Sequence, residues 1–95
     1  MVGVMKINFK TIIQVFQVEG MVALGKMLNP ATNELTRNLE HARYVIDVLE
    51  ILHEKTRGNL DAEDQRFLDN TLSTLRLNYV EETGNPSAPP SGDYS

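Results

Sequence analysis

Glu54-Lys55-Thr56-Arg57-Gly58-Asn59-Leu60-Asp61 reads as the end of one amphipathic helix and the start of another, with almost nothing between them. Gly58 takes the left-handed conformation that closes a helix without the steric penalty a Cβ brings. Lys55 and Arg57 suit the negative end of the helix dipole. Leu60 then re-enters apolar surroundings, and the Asp61 carboxylate can accept hydrogen bonds from the free amides of the next helix. Thr56 falls on the core side, so its hydroxyl needs a partner such as a local backbone carbonyl, and Asn59 suits a side-chain-to-backbone bond. A connection this short folds its two helices back antiparallel. The stretch is the hinge of a hairpin.

Upstream of the hinge, the spacing predicts a helix from about Leu39 to Thr56 with Asn38 as its cap. Leu39, Ala42, Val45, Ile46, Leu49 and Leu52 make a wide apolar stripe, and Glu40, Arg43, Asp47, Glu50 and Glu54 a solvated face. Arg43 and Asp47 pair at i, i+4. Downstream, a helix starts after Asp61, with Glu63 and Asp64 complementing its dipole. Leu68, Leu72, Leu75 and Tyr79 give it a narrow seam suited to antiparallel packing. It ends near Glu82 or Thr83, before Gly84. Residues 84–95 are a Pro/Gly/Ser tail with nothing to bury, and disorder is expected there.

Before the hairpin, a first helix is expected from Phe9 to about Leu24. Asn8 is a good cap, and Ile7 and Ile12 stand at the positions of a hydrophobic staple. Phe9, Ile12, Ile13, Phe16, Ala23 and Leu24, extending to Met27, share one broad face. Gly20 in its middle costs about 1 kcal/mol of helix propensity relative to Ala, which close approach of another helix offsets better than a kink does. Residues 25–37 form a connector: Gly25 closes the helix, and Asn29-Pro30 and Thr32-Asn33 form turns.

The first helix carries a second apolar row. Val15, Val18 and Val22 follow i, i+3, i+7 spacing with Met21 beside them, nearly opposite the core stripe. A smaller row of Tyr44, Val48 and Ile51 extends off the second helix. Both rows exceed what one neighbouring helix buries, so they mark the expected interaction face, against a further helix, a second subunit or lipid.

Composition excludes several classes. Ninety-five residues allow one small helical domain, expected over residues 1–83. The absence of Cys removes disulfides and thiolate metal sites and fits a cytoplasmic location. The net charge is −4, and residues 38–95 carry five Lys/Arg against eleven acids. Such a half repels phosphates, and the acidic third helix is a poor reader of DNA, so no nucleic-acid partner is expected. The opening Met-Val-Gly-Val-Met-Lys lacks the pattern of a secretory signal. The apolar run from Ile12 to Leu28 is broken by Gln14, Gln17, Glu19 and Lys26, so no transmembrane segment is expected.

Candidate chemistry is sparse. Glu50 and His53 form a Glu-x-x-His spacing, but a dimetal site in a helical bundle needs two such motifs and two further carboxylates. Glu50 also points to the solvated face and His53 to the edge of the core stripe, so no metal or other cofactor is expected. There is no Cys nucleophile, no Ser in a strained turn and no glycine-rich phosphate loop. Catalytic residues are not expected.

An ordered set of short motifs carries a resemblance. From Phe9 to Val80 the chain shows Leu24-Gly25, Asn29-Pro30, Thr32 and Glu34, then Leu39, Ala42, Ile46-Asp47, Leu49 and Leu52. Lys55-Thr56, Gly58-Asn59-Leu60, Leu75-Arg76 and Tyr79-Val80 follow. In these it resembles a bacterial family known as domain of unknown function family 1844. It departs from the family's pattern at Asn38, where an Asp cap is usual, and at Asn33, where Gly is common. Gly20 stands where Ala is typical, and His53 where a long polar residue is more frequent. The resemblance implies a small cytoplasmic helical protein and supplies no activity.

The expected architecture is therefore all-α. It is a bundle-like domain of three helices, with the second and third as an antiparallel hairpin and the first packed across it. The expected function is a non-enzymatic interaction or scaffold module that forms a homo-oligomer, preferably a dimer, through the first helix, with a further protein partner also possible. The alternatives are a membrane-peripheral protein laying its first helix in the lipid interface, and a metal- or small-ligand-binding bundle. The first helix lacks the basic polar face that an interfacial helix normally needs.

Overall fold

The computed structural model describes residues 7–84. Helix α1 spans Phe9–Ala23, α2 Leu39–Lys55 and α3 Ala62–Thr83. Among the described residues there is no strand, only an isolated bridge between Asn29 and Glu34.

Each boundary has a local cause. Asn8 caps α1 by accepting the Thr11 amide, while the Thr11 hydroxyl accepts the Asn8 amide, which closes a capping box. Asn38 accepts the His41 amide and Asp61 the Asp64 amide. Gly25, at φ +77°, ends α1. Its amide donates to the Val22 carbonyl and the Lys26 amide to the Met21 carbonyl, the paired bonds of a Schellman motif. In the hinge, Gly58 has φ +81° and the Thr56 hydroxyl donates to the Leu52 carbonyl at 2.7 Å. The Asn59 amide donates to the Thr56 carbonyl, so here the backbone of Asn59 secures the turn.

Each helix touches the other two. Residues near the start of α1 meet the start of α3, with Lys10 2.6 Å from Glu63, and Lys26 just past the end of α1 meets Glu81 and Glu82. Helix α1 therefore runs parallel to α3 and antiparallel to α2. The shared core is built on Ile13, Leu24, Val45, Leu49, Leu68 and Leu75, with Phe9, Phe16, Leu52, Phe67 and Tyr79 packed around it. Burying each large aliphatic side chain contributes about 1.5–3 kcal/mol. At Gly20 an added Cβ would lie 2.9 Å from Leu75 Cδ2 and 3.3 Å from Val45 Cγ1. Close approach, not a kink, is what offsets its low propensity.

Three expectations are corrected. Ile12 is 41% exposed, and Met27 and Ile7 are exposed too. The stripe that α1 turns to its neighbours consists of Ile13, Ala23 and Leu24, with Phe9 and Phe16 partly buried beside them. Ile12 lies about 100° round the helix from Ile13 and falls outside that stripe. Met27 follows Gly25, where the chain has already left the helix, and with Ile7 and Ile12 both in solvent the staple does not close. The expected disordered tail over 84–95 lies, beyond Gly84, outside the described residues.

Candidate functional site

Helix α1 has one charged residue between Lys10 and Lys26, namely Glu19. Its flanks face α2 and α3, so the remaining face looks outward. Thr11, Val15, Val18 and Val22 run along it in alternating steps of four, three and four, the spacing of a coiled-coil seam. Val15 is 57% exposed and Val18 43%, while Val22 is half-buried. Met21 is placed differently: it is half-buried and packs against the core.

The valines form one wall of a groove of about 400 Å³. Its other walls are the connector, through Asn29, Pro30 and Thr36, and the start of α2, through Asn38 and His41. Glu19 reaches across from the valine side, its Oε2 2.5 Å from His41 Nε2. The His41 ring stacks on Tyr44, with centroids 5.4 Å apart and planes 25° from parallel.

That rung sets the α1/α2 register. His41, Tyr44, Val48 and Ile51 share one stripe of α2, and Ile12, Val15, Glu19 and Val22 one stripe of α1. With the helices antiparallel and Glu19 beside His41, the two stripes run along the same seam. Tyr44 and Ile51 are each 57% exposed and Val48 is half-buried. The two rows expected from sequence, with Ile12 added and Met21 set aside, thus share one side of the bundle.

The connector wall is held at both ends. The Asn29 carboxamide oxygen accepts the Ala31 amide, and the Asn29 carbonyl accepts the Asn33 amide at 2.6 Å, with Asn33 left-handed at φ +58°. The Asn38 amide donates to the Ala23 carbonyl. At the far side a charge cluster clamps the connector to α3. Arg37 Nη1 lies 3.0 Å from Glu82 Oε1 and Lys26 Nζ 2.9 Å from Glu82 Oε2, with Lys26 also 3.1 Å from Glu81. Helix α3 has no basic residue in its last turn and two glutamates there, the wrong sign for its dipole. Lys26 and Arg37 bring the missing positive charge from outside. The Lys26 hydrogen bond, aided by Arg37, holds the Glu82 carboxyl below the usual carboxylate range against the opposing effect of burial. Lys26 is in turn raised, first by Glu82 and then by Glu81.

Glu50 and His53 do not converge. Glu50 accepts from Arg76 at 2.8 and 3.0 Å, and His53 Nε2 lies 2.8 Å from Asp69 Oδ1. Among the described residues, no three His, Asp or Glu side chains gather as a metal site requires, and no helix is long and apolar enough to cross a membrane.

Sequence reading missed the Glu19–His41 rung and the Arg37–Glu82 clamp. Two signals stood in the chain: a lone charge within an apolar helix, and two acids at a helix C-terminus. Each needs a partner from elsewhere, and neither says which one.

Comparison with known proteins adds one match. A family model described as a domain of unknown function (DUF1844) matches residues 6–81, which span the groove and nearly all of the three helices. No curated protein and no solved structure matches the chain.

Proposed function

The chain belongs to the family described as domain of unknown function DUF1844, and from that premise we propose a small interaction module that pairs with a second copy through the α1/α2 face. One observation carries the reading: Val15, Val18 and Val22 stand at coiled-coil spacing on an outward face of α1 whose one charged residue among those described, Glu19, already has a hydrogen-bond partner in His41. A face whose one carboxylate is already hydrogen-bonded within the same copy can meet that copy's twin without a new polar partner, and covering its valines removes apolar surface from water. A two-fold dimer is the commonest closed arrangement of such a self-complementary patch. The module works without chemistry of its own, in the cytoplasm. The cysteine-free composition agrees with that compartment.

The test is mass in solution. Light scattering at micromolar concentration should report a dimer for the full chain and a monomer for Val18→Glu, with helical content unchanged because Val18 lies outside the core. An unchanged mass in the variant would refute this interface, and a wild-type monomer would refute self-association.

A further inference from the structure

We infer that residues 76–83, the end of α3, form a flap that the Glu82 carboxylate latches to the bundle, and that this flap opens as a unit while the rest of the molecule stays folded. The inference does not depend on the pairing proposed above, since α3 contributes no residue to the groove.

The apolar anchoring of α3 stops at Leu75. Leu68, Thr71, Leu72 and Leu75 are buried, whereas beyond Leu75 every residue of the helix is exposed or half-buried except Glu82. Leu77 and Val80 stand 70% and 65% exposed. Tyr79 is the one residue of this segment that packs against the apolar core, and it also hydrogen-bonds the Arg43 guanidinium at the surface. The Arg76–Glu50 bond joins two half-exposed side chains, where an ion pair contributes little. The Asn78 amide group and the Thr83 hydroxyl donate to carbonyls of α3 itself. Such sparse apolar contact is what separates a locally opening segment from a core one.

Glu82 is the exception, and it is held from outside the helix. Its carboxylate lies 2.9 Å from Lys26 and 3.0 Å from Arg37, and Arg37 also donates to the Glu82 carbonyl at 3.4 Å. The Glu82 and Arg37 side chains are each 10% exposed. Burying a carboxylate is unfavourable unless its partners hold it. The segment is therefore favoured in place with both cations present and disfavoured there when one is removed. Glu81 and Glu82 also oppose the dipole of α3, so the released end gains from solvating both acids.

What the flap covers follows from the register. Helix α3 meets Gly20 of α1 and Val45 of α2 at Leu75, and it reaches Lys26 and Arg37 at Glu82. Between these two levels lie Leu24 on the first side and Leu39 and Ala42 on the second, all buried. Opening uncovers this end of the core and leaves the Gly20–Leu75 contact closed.

Amide hydrogen exchange followed by NMR on the full chain, at constant pH with and without about 1 M urea, tests this. In wild type the amides of residues 79–83 should exchange at least about tenfold faster than those of 45–49 and respond little to urea, while 45–49 accelerate with it. In Glu82→Gln and in Lys26→Gln the amides of 79–83 should exchange at least about tenfold faster again, still with little response to urea. Glu81→Gln removes an exposed carboxylate and should leave them within about twofold of wild type. Amides of 79–83 that match 45–49 in rate and in urea response would show that the segment opens only with the whole molecule, and would overturn the flap. A Glu82→Gln protein with wild-type exchange over 79–83 would overturn the latch. An effect confined to residues 82 and 83 would reduce the opening to fraying of the last turn and overturn the inference as well.

Discussion

Gly20 is the residue on which the packing turns. It sits where α1 meets both arms of the hairpin, and the methyl groups of Leu75 and Val45 occupy the space a side chain would take. Leu75 is itself fully buried, so it yields only by pushing on the rest of the core. A single added methyl is offset by about 1 kcal/mol of helix propensity; a branched side chain is not. Gly20→Val should therefore lose about 2 kcal/mol through overpacking, read as a lower urea midpoint at unchanged slope. A Val variant as stable as wild type would mean that the helices do not approach closely here. The need for close approach was legible from a glycine in the middle of an apolar stripe. Its partners were not, because Leu75 lies 55 residues away and periodicity reports only which face is buried. The misplacement of Ile12 has the same origin: a helical wheel gives direction, whereas the width of the buried stripe depends on how near the neighbours come.

At the scale of elements, the connector is the part whose role changes most. Its turns were evident from Asn29-Pro30 and Thr32-Asn33, but as a loop laid over the bundle it had no task. In the structure it forms a wall of the groove and is clamped to the last turn of α3 through Glu82. The pH response of this clamp can be worked out. A carboxyl held below its ordinary range contributes stability above the unfolded-state value, and that contribution is lost as pH falls through the folded-state one. Thermal unfolding should thus show wild type losing stability on acidification below about pH 4.5, the ordinary range of a glutamate and beneath. Glu82→Gln should start about 2 kcal/mol lower at neutral pH, since it removes the carboxylate that Lys26 and Arg37 share. It should also respond less to acid. Equal acid sensitivity in the two proteins would assign the effect to other carboxylates.

At the scale of the whole molecule, three helices leave one side of the α1/α2 seam uncovered. Eleven large hydrophobic residues remain exposed among the described residues, and Ile12, Val15, Val18, Tyr44 and Ile51 of these belong to that seam. Scattered apolar residues need no explanation, but a run of this kind along two neighbouring helices favours burial in an assembly. Pairing there couples folding to association, so the midpoint of thermal unfolding should rise with protein concentration. Differential scanning calorimetry across a hundredfold concentration range reads this directly, and a constant midpoint would count against the dimer. Val18→Glu should abolish the concentration dependence while leaving a cooperative transition.

The sequence by itself determined the three helices, their caps at Asn8, Asn38 and Asp61, the glycine stops at Gly25 and Gly58, and the core faces of α2 and α3. These depend on propensity, backbone conformation and period, all of which act within a few residues along the chain. Only the tertiary structure decided that α1 runs parallel to α3, that Lys26 and Arg37 serve the acidic end of that helix, and that Glu19 meets His41. Such pairings join residues far apart in the chain through charge and shape, and every carboxylate in the sequence had several cations it could have met. The hinge at Gly58 turned the chain back on itself; the close contact of Gly20 with Leu75 and Val45 set that side of α1 against the hairpin and left the valine row outward.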